Sequence, residues 1–113
     1  MPDSLPFEIN AVEASELLKA RLPGLRLVDV RDPEEHEICR IGGAELMPLV
    51  VLPHEAVTKL SDRDARILVY CHHGMRSLRA VEMLRHLGYA NSQSVTGGIE
   101  KWSMEIDPAV PRY

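Results

Sequence analysis

Residues 71–77 read Cys71, His72, His73, Gly74, Met75, Arg76 and Ser77, and everything in the chain that points to covalent chemistry converges on them. A mostly apolar stretch, 66–70, precedes them and an amphipathic stretch, 77–87, follows. A turn from a buried strand into a helix lies at the carboxyl end of a sheet, where α/β folds bind ligands. Backbone N–H groups of such a loop converge on one point, and the helix dipole adds positive potential there, so the concavity suits an anion. Gly74 fits, because this curvature often asks for φ > 0. A cysteine at the base of such a loop has its thiolate stabilised, with pKa values falling from about 8.5 to roughly 3.5–7.5. Cys71 is therefore the candidate nucleophile, and a terminal persulfide anion would occupy the same cradle. The competing reading is a buried structural cysteine at a strand end.

Arg76 closes the loop, either anchoring it or attracting an anionic donor. An arginine at a helix start opposes the dipole, which favours a specific role. Ser77 is expected to cap the helix, the commonest use of serine there, rather than to donate to sulfur. His72 and His73 are expected to frame the mouth of the loop and gain positive charge as pH falls toward about 6.5. A metal reading would join them to Cys71, His36 and His54. Adjacent histidines lack the usual ligand spacing and no second Cys or His pair is present, so no metal site is expected. Cys39 reads as a partly buried spare cysteine rather than a resolving thiol.

The elements that must position this loop follow from the rest of the sequence. The chain has 113 residues, 45% hydrophobic and 27% charged, which suits one ordinary globular domain. A net charge of -4 argues against nucleic acid or an anionic membrane surface as a partner, though not against a small anionic substrate. Met1 to Ser4 is polar and acidic, unlike a secretory signal, and the longest apolar run is too short to span a bilayer. Two cysteines make no disulfide framework, and a cytoplasmic setting is expected.

Strand and helix signals alternate, which predicts an α/β domain with a mainly parallel sheet. Strands are expected at 7–9, 25–30, 44–47, 66–70 and 93–95. Helices are expected after an Asn10 cap with Glu13 three residues on, after Asp32-Pro33 with Glu34 and Glu35, over 54–60, over 77–87, and from Gly98 to Trp102. Asp29 and Arg31 end the second strand. A charge in an apolar strand is costly unless paired, so Asp29 is expected to be a structural partner of loop groups, with Arg31 beside it and neither touching the reacting atoms.

Cys-x-x-Gly-x-Arg-Ser between a hydrophobic strand and a helix resembles the active-site loop of the rhodanese-like domain family. Three further segments agree in order: residues 27–35 (Leu-Val-Asp-Val-Arg-Asp-Pro-Glu-Glu), the Ile41-Gly42-Gly43-Ala44 turn running to Pro48, and Thr96-Gly97-Gly98-Ile99 followed by Trp102. The resemblance covers the chain from about Ile9 onward. It departs at Cys39-Arg40, where the family usually has Gly-His, and at His36, where it often has an aromatic.

The resemblance implies a single domain over 1–113, with a core of about 9–103 and a tail of 104–113. It implies a central, mainly parallel five-stranded sheet flanked by helices on both faces. It further implies a sulfurtransferase working by a ping-pong reaction without cofactor or metal. Cys71 takes sulfur from thiosulfate or a persulfide donor, and a thiophilic acceptor removes it: cyanide, a thiol, or a sulfur-carrier protein. The backbone amides of 72–76 would hold charge on the outer sulfur. A cysteine desulfurase is a possible protein donor.

Two other functions are weighed. A cysteine phosphatase or arsenate reductase has a loop one residue longer, sized for a tetrahedral oxyanion, whereas Cys71 to Arg76 is the shorter form. A binding or relay module without turnover would not need the nucleophile, although a carrier role would. The tail, 106–113, is similar to tails on rhodanese domains fused to enzymes that activate ubiquitin-like sulfur carriers.

Overall fold

The computed structural model describes residues 5–113; the polar opening from Met1 to Ser4, read above as no secretory signal, lies outside them. Strand and helix alternate throughout: β1 (Glu8–Ile9), α1 (Ala11–Lys19), β2 (Arg26–Asp29), α2 (Pro33–Ile38), β3 (Glu45–Leu46), α3 (Leu52–Lys59), β4 (Ile67–Tyr70), α4 (Met75–His86), β5 (Ser92–Val95) and α5 (Gly98–Glu105). Local chemistry explains the starts of α1 and α2. The Asn10 side chain accepts from the Glu13 amide, and Asp32 forms a reciprocal capping box with Glu35, with Pro33 supplying a fixed φ at the first turn. The helix expected at 54 begins at Leu52, because Pro53 needs no amide partner in a first turn.

The five strands form one parallel sheet in the order β1-β5-β4-β2-β3. This is the architecture expected from the sequence, with every pairing parallel. β4 is buried at all four positions and alternates its side chains between two cores. Ile67 and Val69 join Leu52, Ala56 and Leu60 of α3 and Ala80, Val81 and Leu84 of α4. Leu68 and Tyr70 join Ala11 and Ala14 of α1 and Ile99 and Trp102 of α5 on the other face. Helices thus cover both faces, as a parallel sheet requires. Among the described residues no helix is long and apolar enough to cross a membrane.

Two boundaries matter for function. α4 starts at Met75, not Ser77, because Gly74 takes the cap position at φ 106°. α5 runs three residues beyond Trp102 to Glu105, and the chain after it returns to the body of the fold, with Val110 buried in the second core.

Candidate active site

Cys71 follows β4 at the sheet's centre, and its side chain is 1% exposed. The loop that follows bends back so that the Gly74 amide donates to Cys71 Sγ at 3.1 Å and the Ser77 amide at 3.3 Å. The thiol in turn donates to Ser77 Oγ at 3.4 Å. Ser77 is therefore not the helix cap expected from sequence. Inside the first turn of α4 it faces the sulfur, and its hydroxyl lies 2.7 Å from Ser94 Oγ of β5. Were the thiol to lose its proton, Ser94 could donate to Ser77 and Ser77 to sulfur, one proton on each oxygen. Ser94 is fully buried and carried no motif; only its place on the strand beside β4 brings it here.

The loop's carbonyls are held from the opposite side. The Ile99 amide donates to Cys71 O at 2.8 Å and the Glu100 amide to His72 O at 3.1 Å, so the first turn of α5 finds its partners in the loop. Gly98 makes this approach possible. A Cβ there would stand 2.4 Å from Cys71 O and 2.5 Å from His72 O, at a φ of +60°. Gly98→Ala is expected to lose about 1–3 kcal/mol from backbone strain alone, with the loop displaced besides. Thermal melting checks the first effect and amide chemical shifts of 72–77 the second.

Arg76 makes a two-pronged pair with Glu35 of α2, at 2.7 and 2.9 Å. It anchors the loop to α2, the first of the two roles considered for it. Glu35 is held down at about 2, chiefly by the hydrogen bond from Arg76, with burial opposing and Tyr113 adding to the drop. A carboxyl whose folded value lies below its unfolded one (about 4.3) stabilises above that pH, and the contribution is lost as pH falls toward 2. The ceiling is about 3 kcal/mol, and screening at Arg76, whose side chain is 36% exposed, reduces it to about 1 kcal/mol. Urea denaturation of Glu35→Gln is expected to show that deficit at pH 7 and little of it at pH 2.5.

Asp29 and Arg31 are both fully buried and form a second cluster beneath the loop. Arg31 grips Asp29 through Nε at 2.9 Å and Nη2 at 2.7 Å, and also donates to Cys39 O at 2.6 Å. His36 Nδ1 lies 2.8 Å from Asp29, and the Tyr70 hydroxyl donates to the same carboxylate at 3.1 Å. Asp29 was expected to partner loop groups. It pairs instead with its own strand end, α2 and Tyr70, the residue just before Cys71, because the loop's polar groups are satisfied by α5 and Glu35. Burial pushes the Asp29 carboxyl up, but the bonds from Arg31 and His36 outweigh it and the net direction is down. Burial, then the Asp29 charge, pushes the Tyr70 phenol up.

His72 and His73 stack on each other with ring centres 3.9 Å apart. Burial, then the neighbouring His73, holds His72 below the ordinary histidine value, which works against the positive charge expected of it. Met75 is 77% exposed beside them. Among the described residues no three His, Cys, Asp or Glu side chains are grouped to hold a metal ion. Tyr113, like Ser94, carried no signal in the sequence. Its hydroxyl accepts from Arg31 at 2.8 Å and donates to Glu35 at 2.7 Å, and its ring stacks on His72.

Comparison with known proteins bears on the family and the fold. The family model described as Rhodanese-like domain matches residues 11–105. The adenylyltransferase and sulfurtransferase MOCS3-2 of Zea mays is 34% identical over 92 residues, covering 77% of this chain and 19% of that protein. The adenylyltransferase and sulfurtransferase uba4 of Ogataea parapolymorpha is 35% identical over 102 residues, covering 90% of this chain and 25% of its own. The chain thus spans a quarter or less of these two relatives. The crystal structure of a rhodanese-related protein from Thermoplasma volcanium superposes with a TM-score of 0.73 at 34% identity, covering 96% of this chain and 100% of that one. With most of its length matched, this chain belongs to the rhodanese-like domain family.

Proposed function

We propose that the domain is a sulfurtransferase that carries sulfane sulfur as a persulfide on Cys71. The convergence of the Gly74 and Ser77 amides on Cys71 Sγ carries this reading, because two fixed donors at one sulfur favour its anionic forms. The relatives named as sulfurtransferases support the reaction class. In the first half-reaction the Cys71 thiolate attacks the outer sulfur of thiosulfate. The S–S bond of the donor breaks, a new S–S bond forms at Cys71, and sulfite leaves with the electron pair. In the second, a nucleophile such as cyanide takes the outer sulfur as thiocyanate and returns the thiolate. Neither half needs an external oxidant or reductant. A persulfide donor enters the same scheme with its thiolate leaving in place of sulfite. The physiological partners we assign are a small sulfur donor, a thiol acceptor and a sulfur-carrier or cysteine desulfurase protein, in the cytoplasm.

The test is the intact mass after incubation with thiosulfate, followed by peptide mapping. One added sulfur atom on Cys71, reversed by a reductant, is expected. Sulfur mapped to Cys39, or aryl phosphate hydrolysis at a rate comparable to sulfur transfer, would refute the assignment.

A further inference from the structure

The residues after α5 are built into the site rather than trailing from it. Val110 is 8% exposed in the second core, and the Ala109 amide donates to Asp107 Oδ1 in the turn that brings the chain back. Arg112 then makes a two-pronged pair with Glu100 at 3.0 and 2.7 Å. Glu100 is the residue whose amide holds His72 O, so the tail and the loop are fastened to the same point of α5.

Tyr113 completes the crossing. Its ring lies on His72 with centres 3.9 Å apart and planes 8° from parallel. Its hydroxyl bridges Arg31 and Glu35, and Glu35 is the carboxylate that anchors Arg76. One phenol therefore touches the residue after Cys71 and the ion pair that closes the loop, and it also reaches the buried arginine below. Cys71 is 1% exposed, and His72 Nε2 is buried without a hydrogen-bond partner among the described residues. A bulky donor must displace something to reach Cys71. Tyr113 is placed to move: it is 39% exposed and sits on no strand or helix.

We propose that Tyr113 is a specificity-determining residue: seated on His72, it covers the approach to Cys71, passes small reagents, and must lift before a bulky sulfur donor can enter. This rests on the sulfurtransferase reading for the identity of the donor, though not for the access it controls. Thiosulfate reaches the sulfur past the seated ring. A persulfide carried on a peptide or protein does so only with the phenol released from Arg31 and Glu35. Each hydrogen bond shifts such an opening by up to about tenfold, so the hydroxyl's two bonds are enough to discriminate between donors.

The experiment measures alkylation of Cys71 by iodoacetamide and by a bulky aryl maleimide, mapped by peptide mass, in the native chain, Tyr113→Phe and Tyr113→Ala. The ratio of bulky to small rate constants at Cys71 is expected to rise about tenfold in Tyr113→Phe, which keeps the ring and loses both bonds, and further in Tyr113→Ala. Labelling of Cys39 should stay unchanged. An unchanged ratio in Tyr113→Ala overturns the proposal, and so does a parallel rise at Cys39, which would make the tail a general support of the fold. Thiosulfate loading of native Cys71 is followed separately. Failure to load with the ratio still rising would remove the sulfur-transfer reading and leave the cover standing.

Discussion

Cys71→Ser is expected to reduce thiosulfate:cyanide sulfur transfer by at least about a thousandfold while leaving the melting temperature within a few degrees. A covalent intermediate requires a nucleophile, and a serine hydroxyl without an adjacent base is a poor one near neutral pH. None of the hydrogen-bond partners of Sγ among the described residues could serve as that base: they are two backbone amides and the Ser77 hydroxyl, with Ser94 behind it. The same amides would still donate to a hydroxyl oxygen, so the loop keeps its shape. The measurement pairs the transfer assay with a thermal melt of each protein. Retained activity in a folded Cys71→Ser protein would sink the mechanism.

Asp29→Ala is expected to have the largest effect on stability. It strips a fully buried Arg31 of its carboxylate and leaves His36 and Tyr70 without their acceptor. Breaking one side of a buried ion pair costs about 3–5 kcal/mol, because the remaining charge is stranded. At this chain length, roughly 4 °C of melting temperature accompany each kcal/mol, so a fall of about 12–20 °C is expected. Asp29→Asn keeps an acceptor for the guanidinium and should fall by less. A melting temperature for Asp29→Ala within 3 °C or so of the native value would mean that water enters to replace the carboxylate.

The sheet was legible in the sequence because its signals are local. The apolar run of β4, the Asp32-Pro33 start and the Asn10 cap each act on near neighbours, and parallel pairing follows from the alternation of strand and helix. The loop was legible for the same reason: Cys71, Gly74 and Ser77 lie within seven consecutive residues. The role of Ser77 was misread, because the αL residue that caps α4 is Gly74 and a serine three residues later faces inward. What the sequence hid were contacts between distant segments. The Glu35–Arg76 pair spans 41 residues and the Tyr113–Glu35 bond spans 78, with no periodicity or motif to link their ends. Asp29 was read as needing a partner, and it has one. Its surroundings also account for His36, one of the two departures from the family pattern, as the ring that contacts that carboxylate.

The order in which the strands lie side by side has a consequence for biosynthesis. β1, the first strand of the domain, pairs with β5, and the turn that holds the Cys71 and His72 carbonyls begins α5. A ribosome delivers the chain from its amino end, yet this domain can close neither its sheet edge nor its reactive loop until that carboxyl-terminal segment emerges. During that interval Ser94 and the amides of Ile99 and Glu100 are missing from the loop. The nascent polypeptide thus carries its cysteine through synthesis before these supports to the sulfur and its loop are in place. Reactivity toward sulfur donors should arrive together with the completed fold, and a chain stalled before Gly98 should lack it.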